Sequence, residues 1–591
     1  MRRYAVQPQQ RRDTGTCQGG RSRKRAPITL DESWQPRSAH VDRALRFVER
    51  SGVLPVLTAQ LDSATGRPRF LSVKALLVAM MLNGMRDDHK ALIHRIAGTI
   101  NALSEHRLQQ LGCRVDRRPA DLYKRVDDLF NKLVACLNDG FHTIVDGEQV
   151  HIDHVWFANR IGASPVPADV YAMSDAVAID GTAIPTPARL HSGNDEVVHD
   201  GDDPQSQPVD EEGRAPKGQV RPKARILGIG PDGRKIYTAD PDARGGYRSP
   251  TSQQPGGLMV GYEAHFFVLT RKVTWTNGAD KATLSEPVPA VILNHALVPA
   301  GSSRTAPVVD LLTNPYLNRH DTRDVVVDPG YSIPDPHTFF TPLHSAGIHV
   351  TWQPTSHHQG IQPFNDNAFV YNGHLISESL PERLRDLPMP PRGANDEVRA
   401  RYQAPWNEAA RYRYSPHGST DDKGTTRFRD PIDAGRLRSR DVPTSMRRSR
   451  TTPLVSLPEP GTYEATLRAT AEQLPRWSKY LPGTTAHHIA YTCRRQASES
   501  ANSTLRGDLA HLDGSFIRVF ELHRINTLLA FTIAGFNYRR LAAYFRANDL
   551  ADPNGRDAIA AEASQVAAAS DPTDTTDTPE PAATEGSDPP A

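Results

Sequence analysis

The chain has 591 residues, 48 of them proline, a hydrophobic content of 38% and a formal net charge of +2. This length predicts several domains, and the proline content indicates irregular segments between globular cores. None of the four cysteines belongs to a CxxC pair, and no apolar run reaches membrane-span length, which argues against a disulfide framework, a zinc module and a membrane protein. No apolar run follows the basic N-terminus as in a signal peptide, so we expect a cytoplasmic protein.

The two ends of the chain carry opposite charge. Residues 1–40 are polar and rich in arginine, whereas residues 549–591 are rich in aspartate and glutamate. Both compositions are too polar to build a core, so we predict a disordered basic arm and a disordered acidic tail. This asymmetry is typical of nucleic-acid proteins, although either end alone is also compatible with a solvated tail that binds nothing.

Residues 41–145 show helical periodicity. In runs such as LYKRVDDLFNKLVACL the apolar side chains recur at intervals of three and four. Arg95, Arg107 and Arg117 fall on the predicted polar faces. We therefore predict an all-helical domain that binds DNA or mediates oligomerisation, with a packing domain that touches no DNA as the alternative.

Strand-like runs dominate residues 146–345. AVAIDGTAIPTPAR reads as a strand closed by proline, and ARILGIG, KIYTAD, YEAHFFVLTRKV and AVILNHALV follow. The acidic stretch 191–224 is predicted to be a disordered insert. A helix is expected at APVVDLLTNPY. The continuous apolar run in DVVVDPGYS is typical of a strand buried on both faces of a mixed sheet.

Residues 346–475 are rich in proline, arginine and glycine and contain only short strand candidates, which predicts an insertion of hairpins and loops. Trp352 or Trp406 could stack on an unpaired base there, although a buried core position is the more frequent role. Residues 476–548 return to helical spacing.

Two aspartates follow apolar runs that read as strands. Asp180 is expected to end the strand AVAID, and Asp328 the strand VVVD. Strand ends are where sites form in sheets flanked by helices. Carboxylate oxygens suit Mg²⁺, and a third carboxylate from a helix would allow two ions to act on a phosphoryl group.

Glu499 is a candidate for that third carboxylate. At about 100° per residue, the side chains on its helix face fall within about 80° of one another; they are Tyr491, Arg495, Glu499, Asn502 and Arg506. The opposite, small apolar face is Cys493, Ala497, Ala501 and Leu505, and Arg494 points toward it. The alternative is a surface ion pair of Arg495 with Glu499.

These motifs together resemble the DDE transposases of bacterial insertion sequences. AIDGT, VVVDPGYS and YTCRRQASESANSTLR look like the branch with a Tyr–Arg–Glu–Lys signature, in which arginine lies four residues before glutamate and lysine seven after it. Arg495 and Arg506 match these spacings, with arginine replacing lysine. The tyrosine of the signature would fall at position 492, whereas this chain has Tyr491, one place early. DPGYS adds Tyr331 as a possible site-lining residue.

The resemblance implies an α/β fold: an RNase H-like mixed sheet flanked by helices, formed by residues 146–345 and 476–548, with the helical domain before it and a strand-rich insertion before the last catalytic helix. It implies that Asp180, Asp328 and Glu499 hold two Mg²⁺ ions, with Mn²⁺ as a substitute. Arg495, Arg506 and Asn502 would bind DNA phosphates, and Tyr331 and Tyr491 would line the site.

The implied reaction is strand cleavage and strand transfer at terminal inverted repeats. The implied partners are double-stranded DNA and further copies of the chain in a synaptic complex near the bacterial nucleoid. Two alternatives keep the fold: a domesticated or inactive copy that binds DNA without cutting it, and an RNase H-like nuclease.

Overall fold

The computed structural model describes residues 34–62, 70–88, 90–114, 121–145, 147–198, 223–248, 257–276, 281–332, 335–355, 359–365, 367–391, 393–418, 425–438, 466–470, 472–507 and 517–555. The predicted arm up to residue 33, the acidic insert over 199–222 and the tail from residue 556 lie outside these ranges, as does Arg117.

The helices are α1 Ser38–Ser51, α2 Val53–Leu61, α3 Val73–Met85, α4 Ile93–Ala102, α5 Glu105–Gln110, α6 Leu122–Asp139, α7 His154–Gly162, α8 Ala168–Ala172, α9 Thr305–Thr313, α10 Pro336–Ser345, α11 Asp396–Ala409, α12 Thr485–His488, α13 Arg494–Arg506 and α14 Leu522–Ala547. Two further turns matter for the site: a 3₁₀ turn at Pro329–Tyr331 and a π-helical turn at Ile489–Cys493.

The strands are β1 Phe141–Val145, β2 Glu148–Ile152, β3 Ala176–Pro185, β4 Asp195–Glu196, β5 Lys223–Ala224, β6 Gly228–Ile229, β7 Lys235–Ile236, β8 Arg244–Arg248, β9 Gly257–Thr270, β10 Val273–Thr276, β11 Lys281–Leu284, β12 Ile292–Pro299, β13 Asp324–Val327, β14 His349–Thr351, β15 Ile361–Asn365, β16 Ala368–Tyr371, β17 His374–Ser377, β18 Ser415–Pro416, β19 Thr425–Arg429 and β20 Thr466–Thr470.

A helical N-terminal region is observed, although the predicted all-helical range 41–145 ends in strand β1, and the region packs directly on the rest of the chain. Helices α3 and α14 cross with backbone contact: a Cβ added at Gly535 would lie 1.8 Å from the carbonyl oxygen of Gly84. The two glycines therefore permit this crossing. One hydrophobic core runs from α1–α6 through α14 to the sheet. Arg95 and Arg107 are ion-paired to Asp88 and Asp42.

A mixed sheet of six strands forms the centre of the α/β region. Its order is β12–β9–β3–β13–β14, with β8 also paired to β9. Strand β9 is antiparallel to β12 and β3, whereas β13 is parallel to β3 and to β14. All four residues of β13 are buried, as their continuous apolar pattern predicted. One face of the sheet packs on α13 and the first part of α14, and the other on α9, α10 and the last part of α14.

Side-chain amides close the outer edge of the sheet. Asn159 of α7 exchanges two hydrogen bonds with the backbone of His295 in β12, at 2.7 and 3.1 Å. Asn537 of α14 does the same with the backbone of Ile292, at 2.7 Å for both bonds. These amides replace the missing strand partner, so the edge has little left to pair with another chain.

The insertion contains two small antiparallel sheets, β15–β16–β17 and β18–β19–β20. It also contains α11, which the expectation of hairpins and loops missed. Asn395 caps this helix, and Pro405 lies inside it, which hid the helix from a pattern that treats proline as a breaker. Trp352 and Trp406 are both 1% exposed, so the core interpretation of these side chains is confirmed.

None of the helices in the described part of the chain combines the length and hydropathy that crossing a membrane requires.

Candidate active site

Asp180 lies in the middle of β3 and not at its end, so the expectation that it ends a strand is wrong. β3 continues to Pro185 because β9 pairs with it over its whole length, Asp180 facing Phe266. On the other side, β13 ends at Val327, opposite Ile179. Asp180 is thus the first residue of β3 without a partner on that side, which leaves room for a site beside it.

Asp328 follows the last residue of β13 and begins the 3₁₀ turn. Its Oδ2 accepts a hydrogen bond from the backbone N–H of Gly330 over 3.2 Å, which fixes the carboxylate at the strand end. The side chain is 34% exposed. The site therefore forms where β13 stops and β3 continues.

Glu499 projects from α13 toward the same place. The Nη2 atom of Arg495 lies 3.1 Å from Asp328 Oδ1 and 3.0 Å from Glu499 Oε1, so one guanidinium bridges the two acids. Burial alone would lower the pKa of Arg495, but the surrounding acids and the Tyr491 hydroxyl raise it above its ordinary value. The ion pair of Arg495 with Glu499 is thus present, but it is part of a larger cluster that joins three chain segments.

Asp180 joins this cluster through Asn502. The Nδ2 atom of Asn502 donates to Asp180 Oδ2 over 2.9 Å, while its Oδ1 is buried without a partner among the described residues. Burial, together with the negative charges of Asp328 and Glu499, raises the pKa of Asp180 to about 6. The raised pKa reflects burial first and repulsion by the neighbouring acids second.

The π-helical turn before α13 accounts for the early tyrosine. A π turn holds one residue more than an α turn. Tyr491 therefore still reaches Arg495: the Arg495 Nη1 donates to the Tyr491 hydroxyl over 3.3 Å. The Tyr491 ring stacks on His487, with centroids 5.4 Å apart, and His487 Nε2 contacts the carbonyl oxygen of Trp352. Tyr491 is thus held by its stack on His487 and accepts a hydrogen bond from Arg495.

The buried face of α13 differs from the predicted one. Its fully buried members are Arg494, Ser498, Ala501, Asn502 and Leu505, whereas Cys493 and Ala497 are half-buried. The buried face therefore includes polar side chains of the helix. Arg494 belongs to this face because it points into the core and pairs with an acid. Arg506 lies half-buried in the last turn of α13, two turns beyond Glu499.

The partner of Arg494 was not predicted from the sequence. Its Nη1 lies 2.9 Å from Asp324 Oδ2, and its Nη2 donates to the Thr351 hydroxyl over 3.1 Å. These acceptors lie on β13 and β14, and the arginine is fully buried. The pair fixes the start of α13 against the sheet and so sets where Glu499 falls. In the sequence, this pair was indicated only by Asp324, an aspartate at the start of an otherwise apolar strand.

Tyr331 lies behind the carboxylates. Its hydroxyl is 2.6 Å from His265 Nδ1, and burial raises its pKa well above the ordinary value. Nearby, Arg304 forms an ion pair with Glu263 at 3.2 Å. A Cβ at Gly330 would lie 2.5 Å from Arg304 Nη1, so this glycine gives the arginine its place against the Asp328 turn. Glu263 and Arg304 were not singled out from the sequence.

The donor atoms of this cluster are of the type that a hard divalent cation binds. It offers carboxylate oxygens from Asp180, Asp328 and Glu499 and the unpartnered buried amide oxygen of Asn502. Among the described residues, no three His, Cys, Asp or Glu side chains lie close enough together to hold a metal ion as they stand. Arg495 lies between Asp328 and Glu499, where a cation would contact both.

Comparisons with protein-family models, with curated proteins and with solved structures found no match for this chain.

Proposed function

We propose that this protein is a DDE-type DNA transposase that cleaves and joins strands at the ends of an insertion sequence. The observation that carries the proposal is the meeting of Asp180, Asp328 and Glu499. These residues come from a mid-strand position, a strand end and a helix, and the contacts of Arg495 and Asn502 gather them at one edge of the sheet.

The strand order supports an RNase H-like assignment. Three antiparallel strands, β12, β9 and β3, are followed by β13 and β14, which add in parallel on the far side of β3. The resemblance implies two aspartates at strands of such a sheet and a glutamate on a later helix. We assign these positions to β3, to the residue that follows β13 and to α13.

The three carboxylates would hold Mg²⁺, with Asn502 orienting Asp180 by its hydrogen bond. Bound metal would lower the pKa of attacking water and stabilise charge on the leaving oxygen. The carboxylates' own task is to present oxygens at fixed positions, which the strand pairing of β3 and the turn at Asp328 accomplish. Hydrolysis frees a 3′-OH, which then attacks a target strand.

Arg495 has two roles in this proposal. In the described arrangement it neutralises Asp328 and Glu499, which allows the acids to stay close without a metal. The same guanidinium would contact a DNA phosphate, for which its planar fork is suited. Arg495 would therefore both balance the charge of the acids and position DNA.

The test is strand cleavage and joining on DNA from the flanks of the coding region, with Mg²⁺ present. Wild type is compared with Glu499→Gln and with the control Glu397→Gln, which alters an exposed acid paired to Arg401 on α11. We expect cleavage and joining by wild type and the control, and loss of both in Glu499→Gln by at least about 100-fold.

The alternatives give different outcomes. DNA binding without cleavage by wild type would favour a domesticated DNA-binding protein. Cleavage without joining of the freed 3′-OH would favour an RNase H-like nuclease. Equal activity of wild type and Glu499→Gln would show that Glu499 is not part of a catalytic metal site.

A further inference from the structure

Another arginine contacts α13 at the residue that follows Glu499. Arg540 of α14 donates from Nη2 to the Ser500 hydroxyl (3.1 Å), the Ser500 carbonyl oxygen (3.4 Å) and the Thr504 hydroxyl (2.6 Å). Ser500 follows Glu499 directly and is exposed. Arg540 is therefore held against the flank of α13, in the helical turn that follows Glu499.

No acid compensates this guanidinium within the described part of the chain. Burial lowers the pKa of Arg540, and no neighbouring carboxylate offsets the effect. Every hydrogen bond it makes to described residues leaves from Nη2, although arginine has five N–H donors. Its Nε is buried without an acceptor among these residues. A half-buried charge with most of its donors unused is suited to an incoming anion.

The hydroxyl groups of Thr504 and Ser500 differ in whether they can donate a hydrogen bond to an incoming anion. Thr504 donates its hydroxyl hydrogen to the Ser500 carbonyl oxygen over 2.8 Å, so its role is to hold Arg540. The Ser500 hydroxyl accepts from Arg540, and none of the described residues accepts its hydrogen. Ser500 can thus donate to the same anion as Arg540.

The neighbouring arginine shows the contrast. Arg539 donates from Nη1 to the carbonyl oxygens of Gly84 and Arg86, at 3.3 and 3.1 Å. It ties α14 to the helical N-terminal region. Of two consecutive arginines, one is thus bound to backbone carbonyls of the N-terminal region and the other to hydroxyl groups of α13.

We propose that Arg540 and Ser500 bind a backbone phosphate of the DNA strand that lies across Glu499. This inference rests on the proposed function and names a phosphodiester-binding site within it. A cation and a hydroxyl donor side by side provide charge and a hydrogen bond, as phosphate contacts in DNA complexes do. The contact carries no sequence information and positions the strand beside the carboxylates.

The experiment measures binding of the full-length protein to a fluorescently labelled duplex by anisotropy, between about 50 and 200 mM salt. Arg540→Gln should weaken binding about tenfold and reduce the slope of log K against log[salt] by about 0.9, the value for one phosphate contact. Arg540→Lys keeps the charge and should keep the slope. Arg539→Gln should lower the melting temperature and leave the slope unchanged.

A wild-type slope in Arg540→Gln would overturn the phosphate site while leaving the proposed function intact. If Arg540 serves only to hold α13 against α14, Gln and Lys variants will both melt earlier and both keep the slope, which also refutes the site. If wild type binds no DNA, the proposed function and this inference both fail.

Discussion

Asn502 on α13 donates a hydrogen bond to Asp180 in the middle of β3, with 2.9 Å between Nδ2 and Oδ2. This contact joins the helix that carries Glu499 to the strand that carries the first aspartate. It also lowers the pKa of Asp180, against the burial and the neighbouring acids that raise it to about 6. The amide therefore helps to keep Asp180 ionised near neutral pH.

Removing this hydrogen bond should change the pH dependence of cleavage. In Asn502→Ala the pKa of Asp180 rises further, so the carboxylate becomes protonated at a higher pH and the acidic limb of the rate profile moves upward by about one unit. Rates measured from pH 5 to about 9 test this. Asn407→Ala, which removes a surface contact with Thr485, serves as the control. An unshifted limb in Asn502→Ala would contradict the role given to this amide.

Arg495 should affect metal binding and catalysis in opposite directions. Because its guanidinium bridges Asp328 and Glu499, Arg495→Gln should bind Mg²⁺ at least about tenfold more tightly in the absence of DNA. The same variant should cleave DNA about 100-fold more slowly, since a phosphate contact is lost. Calorimetric titration and a cleavage assay separate the two effects. Weaker Mg²⁺ binding in the variant would show that the arginine does not compete with the cation.

The buried pair of Arg494 and Asp324 should dominate the stability of the sheet–helix junction. Arg494→Leu leaves Asp324 charged and buried, and should lower the free energy of unfolding by about 3–5 kcal/mol. The double variant Arg494→Leu, Asp324→Leu removes both charges and should recover much of that loss. Denaturant unfolding monitored by fluorescence provides the measurement. Additive losses in the double variant would mean that the pair is not coupled as the 2.9 Å contact indicates.

The close crossing of α3 and α14 predicts whether Gly535→Ala stabilises or destabilises the protein. Helix propensity alone would make Gly535→Ala stabilising by about 1 kcal/mol. Because the added Cβ would overlap the Gly84 carbonyl oxygen, we expect a loss of about 2–3 kcal/mol instead. Thermal unfolding of wild type and variant decides between the two. A higher melting temperature for the variant would contradict the described crossing.

The sequence predicted which elements exist better than how they meet. Continuous apolar runs identified β3 and β13, and helical spacing identified α13, because these patterns are local. That Asp180 lies mid-strand depends on where β9 continues and β13 stops, which no local pattern contains. Helical spacing did predict that Arg494 points toward the buried face, but its partner Asp324 lies far away in the chain and no local pattern indicated it.

Locating the metal tests the central claim most directly. Fe²⁺ that replaces Mg²⁺ reduces added hydrogen peroxide to hydroxide and a hydroxyl radical, and the radical cuts the polypeptide next to the bound ion. If the three carboxylates form one metal site, the cuts will fall near residues 180, 328 and 499, Mg²⁺ will suppress them, and Asp328→Asn will abolish all three. Cuts elsewhere, or cuts at one of these segments that persist in Asp328→Asn, would contradict a shared site of Asp180, Asp328 and Glu499.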